Sequence, residues 1–244
     1  MGSERRAFLW IPGWGADSGV WSAERRRWNA PGDWHLTVNW TSLDRPESVR
    51  EIVWKALHRL SGIPVYILGW SMGAMAALEA ALSRPEGIRG LYLAGAAPQF
   101  RYSRDYPAGW RDRVLVQMRR RLVSDLPKVL AAFDRRMFSR WECVDGWFEQ
   151  WRREGRPRMM NVGDLSAGLE YLRRFSIVKE VSRLRVPVHL LHGGEDVIAP
   201  LQGADLLAER LPEGRLTIWE KAGHLPFWTQ PERFHQWLKE RIES

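Results

Sequence analysis

The sequence predicts an α/β domain in which a mostly parallel sheet is covered by helices on both faces and interrupted by a helical insertion. Three observations predict this fold class. Short apolar runs alternate with segments of helical periodicity over residues 1–97. The alternation stops at Pro98, where a segment rich in Arg and Trp begins that has helical periodicity and no convincing strand. It resumes near the end, so we predict an α/β core of residues 1–97 and 182–244 and a helical lid of residues 98–181.

The elements follow from the local patterns in chain order. Apolar runs bounded by turn residues predict buried strands, and apolar residues spaced three or four apart predict helices. Before the lid we predict strands at 7–12, 36–40, 64–69 and 88–94, separated by helices at 18–28, 46–60 and 72–82. After the lid we predict strands at 187–192 and 215–219, followed respectively by helices at 200–211 and 231–242.

The composition is that of a globular protein, with 244 residues of which 45% are hydrophobic and 27% charged. No apolar run approaches the roughly 18 residues of a membrane span. The run at 7–12 is too short for a signal peptide. Gly2 does not begin a myristoylation motif, because position 6 is Arg where that motif requires Ser or Thr. Cys143 is the single cysteine, so no internal disulfide can form. We expect a cytoplasmic monomer that does not bind membranes.

The charge is strongly basic, with a formal net charge of +8. Such a balance favours an acidic partner: nucleic acid, a membrane surface or an acidic protein. Residues 101–160 hold 15 Lys and Arg against 8 Asp and Glu, an excess of +7, so the charge is concentrated in the predicted lid. No nucleic-acid-binding motif is present, which argues against that partner. The candidate docking residues are Arg119, Arg120, Arg121, Arg135 and Arg136.

These arginines have a second interpretation, since a run of charges usually forms a solvated face. Neighbouring residues on a helix point about 100° apart, so Arg119, Arg120 and Arg121 cannot all lie on one side. Some of them therefore only solvate the lid.

A candidate nucleophile lies in Gly69-Trp70-Ser71-Met72-Gly73, which matches the pattern G-x-S-x-G. The motif follows a predicted strand and opens a helix of small residues. A serine on such a sharp turn needs glycine on both sides because the backbone is strained and crowded. The turn places the hydroxyl of Ser71 at a helix N-terminus, where developing negative charge is stabilised. The alternative is an ordinary N-cap serine in a glycine-rich turn.

A serine nucleophile needs a base. When the nucleophile lies on a strand-to-helix turn of this kind, the catalytic residues follow one another along the chain in the order Ser, acid, His. His189 and His192 lie in or at the end of a predicted strand, and the register of the last helix predicts that His235 is a surface residue. His224 lies in a loop between the last strand and the last helix. That loop belongs to the carboxyl edge of the sheet, where ligands bind in open α/β folds, so His224 is the candidate base.

The acid that orients this histidine should follow the strand at 187–192. Asp196 and Glu195 both qualify chemically, and Asp205 is a third choice. Such an acid holds the imidazole tautomer and stabilises the imidazolium.

The oxyanion hole should use two backbone N–H groups, that of Met72 and one from the loop after the first strand. This loop is Pro12-Gly13-Trp14-Gly15, and Trp14 is the candidate second donor. Its ring can also wall the substrate pocket, or it can serve only in packing.

At these residues the sequence resembles the α/β-hydrolase superfamily, and it looks most similar to the pimeloyl-[acyl-carrier protein] methyl ester esterases of biotin synthesis. The similar stretches are residues 12–15 with Trp21, 69–73, 100–133 with 104–107, 168–172, and 223–227 through 231–234. Two departures concern the N-terminal part: Pro12 stands where the family has His, and we expect no counterpart of the family's N-terminal hairpin before the strand at 7–12.

The resemblance implies an α/β-hydrolase fold with Ser71, Asp196 and His224 as the triad, which favours Asp196 over Glu195. It also implies that Trp14 and Met72 bind the ester carbonyl and that Phe133 of the lid contacts the acyl chain. The implied activity is that of a serine carboxylester hydrolase which cleaves the methyl ester of a pimeloyl-type chain on acyl carrier protein.

Two alternatives are a general carboxylesterase, thioesterase or related lyase of the same fold, and a non-catalytic basic binding module. A complete triad in the right chain order argues against the second. No metal or organic cofactor is required by this chemistry.

Overall fold

A single parallel sheet organises the protein in its computed structural model, which describes residues 5–28, 30–157 and 160–243. Its strand order is β2-β1-β3-β4-β5-β6, and every neighbouring pair is parallel. The strands are β1 (Arg6–Ile11), β2 (Asp33–Thr37), β3 (Val65–Trp70), β4 (Ile88–Ala94), β5 (Val188–Gly193) and β6 (Gly214–Trp219). The predicted α/β class with a parallel sheet is confirmed. Gly2, on which the myristoylation prediction rests, lies outside the described residues.

Helices surround the sheet. They are α1 (Ser22–Arg25), α2 (Glu47–Arg59), α3 (Met72–Ser83), α4 (Asp112–Ser124), α5 (Leu126–Met137), α6 (Arg140–Val144), α7 (Trp147–Gln150), α8 (Val162–Arg174), α9 (Leu201–Arg210), α10 (Pro226–Thr229) and α11 (Pro231–Ile242). Short 3-10 helices span Ser18–Trp21 and Val181–Arg183, and a π-helical turn spans Trp151–Gly155. Helix α3 is buried almost all round because its alanines allow close approach to β1, β3 and β4.

Burial follows strand position. The central strands are buried almost throughout, and the edge strands β2 and β6 are largely half-buried. Central strands of a parallel sheet are covered on both faces, which is why they read as continuous apolar runs in the sequence. Aromatic rings of neighbouring strands contact one another in a row, which consists of Phe8, Tyr66, Tyr92 and His189. Trp237 of α11 packs against Tyr92 in this row.

Three elements differ from the prediction. The strand expected at 36–40 lies earlier, at β2, where Leu36 pairs with Leu9 of β1. The helix expected at 18–28 is instead a 3-10 turn followed by the four-residue α1, and Asp17 caps this turn by accepting from the Gly19 N–H at 2.7 Å. Helix α10 was not predicted because a single turn carries too little periodicity to register.

The segment between β4 and β5 is helical and contains α4 to α8. Its two ends meet where Ile177 N–H donates to the Pro98 carbonyl at 2.8 Å and Ser176 Oγ donates to Gln99 at 2.7 Å. Helix α4 packs through one side, on which Leu115 and Leu122 are buried. In the described part of this segment we find only isolated β-bridges and no strand. None of the helices described in the chain is both long and apolar enough to cross a membrane.

Candidate active site

The carboxyl ends of four neighbouring strands meet at one edge of the sheet. Ser71 directly follows β3, Gly95 follows β4, Asp196 lies in the loop after β5, and His224 lies in the loop after β6. Because all six strands are parallel, these residues share one edge. Ser71 N–H donates to the carbonyl of Ala94 at 2.9 Å, which places the serine beside the β4 end.

The backbone at Ser71 differs from that of an ordinary N-cap serine. Its φ is 54° and its ψ is −118°, and its side chain makes no capping hydrogen bond. An N-cap residue is normally extended and accepts a hydrogen bond from the first turn. A positive φ is strained for a residue with a side chain, and such strain is typical of functional sites.

Both flanking glycines are required by close packing. A Cβ at Gly69 would lie 2.8 Å from Cα of Ala74, and one at Gly73 would overlap the carbonyl oxygen of Ile11. The turn can therefore form only if both positions lack side chains, which is the physical reason for the G-x-S-x-G pattern.

His224 and Asp196 form a buried pair. Nδ1 of His224 lies 2.7 Å from Oδ2 of Asp196, and the two residues are 1% and 6% exposed. The other carboxylate oxygen accepts from the N–H groups of Ile198 and Ala199 at 2.8 and 2.9 Å. Burial pushes the pKa of Asp196 up, but His224 and these hydrogen bonds outweigh it and hold that pKa below its usual range. The carboxylate is thus ionised beside the imidazole.

The second ring nitrogen of His224, Nε2, is buried without a hydrogen-bond partner among the described residues. A buried polar atom that lacks a partner is uncommon and calls for an explanation. Nε2 is the atom through which a triad histidine takes a proton from its serine. The arrangement leaves this atom available for that transfer.

The other acids considered from the sequence point elsewhere. Glu195 is half-buried and accepts from the indole N–H of Trp141 at 3.0 Å, with Arg140 at 3.8 Å. Asp205 is exposed on α9. Of the three carboxylates, only Asp196 contacts His224.

Two of the other histidines considered from the sequence, His192 and His235, are held by polar contacts of their own. His192 donates from Nε2 to the Ala199 carbonyl at 2.6 Å and lies 3.5 Å from Asp196, so it steadies the loop of the acid. Burial keeps the pKa of His192 below its usual range. His235 was expected at the surface but is half-buried, because its Nδ1 lies 2.7 Å from the buried Glu24.

Two further residues shape the site, and the sequence pattern gives little signal for them. A Cβ at Gly95 would lie 2.8 Å from Cε1 of His224, so the histidine ring occupies space that any side chain at 95 would fill. Trp70 donates from Nε1 to the His224 carbonyl at 2.9 Å. The only hints in the sequence are that Gly95 directly follows a predicted strand and that Trp70 lies within the serine motif.

The candidate oxyanion donors are both available. Within the described residues, the backbone N–H groups of Trp14 and Met72 donate no hydrogen bond to the protein. Met72 is the first residue of α3, where a helix leaves its N–H groups without internal partners. The Trp14 ring is fixed by its Nε1 donating to the Leu165 carbonyl at 2.8 Å.

A cavity of about 770 Å³ lies beside these donors. Its apolar wall is formed by Trp14, Trp40, Met72, Met160 and Leu165. Phe133 of α5 packs edge-on against the Trp14 ring, with centroids 4.9 Å apart. Phe133, the candidate acyl-chain contact, thus touches Trp14, the candidate carbonyl-binding residue.

The carboxylates at the cavity are already engaged. Asp17 accepts from Gly19 N–H at 2.7 Å, and Asp164 accepts from Leu43 N–H at 2.6 Å. Among the lining residues that the structure describes, there is no Lys or Arg. The two carboxylates and the apolar wall disfavour an anionic chain in this cavity.

The arginines of α4 are exposed but not equivalent. Arg119 donates to Glu170 at 2.9 Å. The side chains of Arg120 and Arg121 have no hydrogen-bond or ion-pair partner in the part of the chain that the structure describes. Of the three candidate docking arginines on α4, Arg120 and Arg121 are therefore the two whose charges are unpaired among the described residues.

The arginines of α5 have aromatic neighbours. The guanidinium of Arg135 lies 5.5 Å from the Phe148 ring centroid and donates to Sγ of Cys143, and that of Arg136 lies 5.5 Å from the Trp110 ring centroid. Both remain exposed. Their docking role stays a prediction.

Among the described residues, no group of three or more His, Cys, Asp or Glu side chains is placed to hold a metal ion.

Comparison with known proteins identifies the family. The model of the α/β-hydrolase fold matches residues 26–231. The chain is 31% identical to a pimeloyl-[acyl-carrier protein] methyl ester esterase of Nitrosomonas europaea, over 92% of this chain and 90% of that relative. It is 27% identical to a protein of the same name from Yersinia enterocolitica, over 93% of this chain and 89% of that relative.

Solved structures share the fold. An esterase from Exiguobacterium antarcticum is similar with a TM-score of 0.84 and 22% identity, covering 99% of this chain and 93% of that one. A bromoperoxidase from Bacillus anthracis is similar with a TM-score of 0.81 and 16% identity, covering 98% and 92%. The resemblance drawn from the sequence motifs is confirmed. The chain belongs to the α/β-hydrolase fold family.

Proposed function

We propose that this protein is a serine carboxylic ester hydrolase with Ser71 as nucleophile, His224 as base and Asp196 as the orienting acid. The observation that carries the proposal is the buried His224–Asp196 pair at the sheet edge that holds Ser71, in which Nε2 of His224 has no partner among the described residues. Membership of a hydrolase family and relatives named as esterases support the same enzyme class.

The chemistry proceeds by an acyl-enzyme. Oγ of Ser71 attacks the ester carbonyl while Nε2 of His224 takes its proton, and Asp196 stabilises the imidazolium. The negative charge on the carbonyl oxygen is stabilised by the N–H groups of Trp14 and Met72. The intermediate collapses, and the alcohol leaves with the proton from His224. Water then attacks the acyl-enzyme, with His224 again as base, which releases the acid and restores Ser71.

The proposed substrate is the methyl ester of a pimeloyl-type chain carried by acyl carrier protein. The names of the relatives support this substrate. The cavity beside Trp14 and Met72, with an apolar wall and two carboxylates, supports a chain without negative charge. The excess of +7 in residues 101–160 and the exposed arginines of α4 and α5 support an acidic carrier.

The proposal is tested by hydrolysis of matched esters by the purified protein. The substrates are a pimeloyl methyl ester on acyl carrier protein, the same chain as a free methyl ester, a p-nitrophenyl ester and an acyl thioester. We expect kcat/KM for the carrier-bound methyl ester to exceed that for the free ester by at least about 100-fold, which corresponds to roughly 2.7 kcal/mol of added transition-state binding. Ser71→Ala is the control for enzymatic turnover. Equal rates on both methyl esters, or preference for the thioester, would instead indicate a general esterase or thioesterase.

A further inference from the structure

The backbone of the loop that carries His224 is hydrogen-bonded to residues outside the loop. His224 N–H donates to the carbonyl of Met137 at 2.7 Å, and Gly223 N–H donates to Oε2 of Glu142 at 2.9 Å. Trp70 binds the His224 carbonyl. Both N–H acceptors belong to the inserted helices. Met137 ends α5, where a helix leaves its last carbonyl groups without internal partners.

Glu142 is unusual among these partners because its carboxylate is buried. It is 5% exposed, yet its carboxylate accepts three hydrogen bonds: Oε2 from Ser139 N–H at 2.8 Å and Gly223 N–H at 2.9 Å, and Oε1 from Thr229 Oγ1 at 2.6 Å. Burial raises the pKa of Glu142, and the hydrogen bonds oppose this rise. Gly223 directly precedes His224, and Thr229 is the last residue of α10, the helix that follows the loop.

Helix capping explains only part of this arrangement. Ser139 and Glu142 form a capping box at the start of α6, in which the glutamate needs to reach only the Ser139 N–H. A glutamate with that single task gains nothing from burial, because burying a carboxylate is costly. One further bond is made to Gly223 in the loop of the base, and the other is made to Thr229, which ends the helix that follows this loop. Gly223 has no room for a side chain, since a Cβ there would overlap the Met137 carbonyl oxygen.

We propose that Glu142 is a positioning residue that ties the His224 loop to the inserted helices and thereby sets the alignment of the imidazole with Ser71. This inference rests on the proposed function. With the His224 backbone held at its N–H by Met137 and at its carbonyl by Trp70, Glu142 fixes the residue before it and the turn after it. The helical insertion thus takes part in the placement of the base.

The test compares Glu142→Met with Glu142→Gln and Ser139→Ala. Methionine fills the same space without an acceptor, so it frees both loop contacts. Glutamine keeps an oxygen for Gly223 N–H, and its amide N–H can donate to Thr229, so it should rescue activity. Ser139→Ala removes the cap to Glu142 N–H, 3.2 Å in the wild type, and leaves the loop contacts intact.

On a p-nitrophenyl ester, we expect Glu142→Met to lower kcat by about 10- to 100-fold with KM nearly unchanged, as a small misplacement of a catalytic group does. Glu142→Gln and Ser139→Ala should stay within about threefold of the wild type in kcat. Hydrogen exchange of residues 222–229 should accelerate in Glu142→Met and not in Ser139→Ala. If Glu142→Met does not fold, Thr229→Val removes one of the three bonds and should give a smaller fall in kcat of the same kind.

The proposal is overturned if Glu142→Met loses thermal stability as Ser139→Ala does while kcat and exchange of the His224 loop are unchanged. It is also overturned if Glu142→Gln is as inactive as Glu142→Met, since charge and not hydrogen bonding would then be required. Failure of the proposed function looks different: the wild type would hydrolyse no ester, while the exchange difference between Glu142→Met and Ser139→Ala would persist.

Discussion

Nδ1 of His224 lies 2.7 Å from Oδ2 of Asp196, whereas the adjacent carboxylate, that of Glu195, turns away to the indole of Trp141 at 3.0 Å. Two neighbouring acids in one loop thus have different partners. Asp196 is bound by two backbone N–H groups as well as by the imidazole, so its carboxylate is fixed before any substrate arrives. The geometry predicts that these two acids differ sharply in their effect on catalysis.

Asp196→Asn should reduce kcat by about three to four orders of magnitude, because an amide favours the wrong imidazole tautomer and does not stabilise the imidazolium. Glu195→Gln, the matched control in the same loop, should remain within a few-fold of the wild type. Steady-state kinetics on a p-nitrophenyl ester measures both. A larger loss in Glu195→Gln would show that Asp196 is not the acid.

Ser71 should be covalently modified by a fluorophosphonate probe. The probe should label the wild type and not Ser71→Ala, and labelling of His224→Ala should be far slower because the base is missing. Either substitution should cost about six orders of magnitude in kcat. Intact-protein mass spectrometry measures the adduct. An adduct on Ser71→Ala would place the nucleophile elsewhere.

The exposed arginines of α4 should affect the hydrolysis of carrier-bound substrate and not that of a free ester. Arg120→Glu with Arg121→Glu should lower kcat/KM for the carrier-bound ester by about tenfold or more and leave the free ester unchanged, since rim charges steer association. The matched control is Lys55→Glu with Arg59→Glu, which changes the net charge equally at two exposed positions of α2, outside the inserted helices.

Salt provides the second readout for this docking. Charges at a rim are screened beyond about 8 Å at physiological ionic strength. Added salt should therefore depress hydrolysis of the carrier-bound ester in the wild type and have less effect in the α4 variant. An equal response of the two esters to salt and to charge reversal would mean that the arginines only solvate the insertion.

The buried pair of Arg156 and Asp134 should behave as a unit. Burial lowers the pKa of Arg156 to about 10, and its guanidinium donates to Asp134 and to the Gly15 carbonyl next to Trp14. Arg156→Met should destabilise the protein by about 3 kcal/mol because Asp134 is left buried and unpaired. Urea unfolding measures this. Arg156→Met with Asp134→Leu should be less destabilised than Arg156→Met alone; additive losses would contradict the coupling.

His189 should contribute to loss of stability in acid. Burial and then the nearby Arg241 and Arg215 lower its pKa to about 4, and its ring stacks on Tyr92 at 5.1 Å. Since its pKa in the folded state lies below the unfolded value of about 6.5, its contribution is intact above pH 6.5 and falls as the pH drops toward 4. His189→Phe keeps the stacked ring without the titration, so its Tm should fall less than that of the wild type over this window. If the Tm of the wild type and that of His189→Phe fell equally between pH 6.5 and 4, titration of His189 would not contribute to the loss of stability.

Local patterns in the sequence were enough to predict most elements. Strand β4 and helix α11 lie at the predicted residues because their apolar spacing is set by neighbours along the chain. The glycines around Ser71 were also readable, since the clash that demands them arises within one strand-to-helix turn and its adjacent strand. The shift of β2 to Asp33–Thr37 was not readable, because its limits are set by pairing with β1.

Contacts between distant residues needed the tertiary structure. From the residues alone, Asp196 and Glu195 were chemically equal, and the family resemblance favoured Asp196. Only the folding of two loops 28 residues apart brings Asp196 to His224 and leaves Glu195 to Trp141. The hold of Glu142 on Gly223 spans 81 residues, and no local spacing encodes it. Helices and turns depend on neighbours along the chain, whereas the placement of a base depends on which strands lie side by side and on what the inserted helices touch.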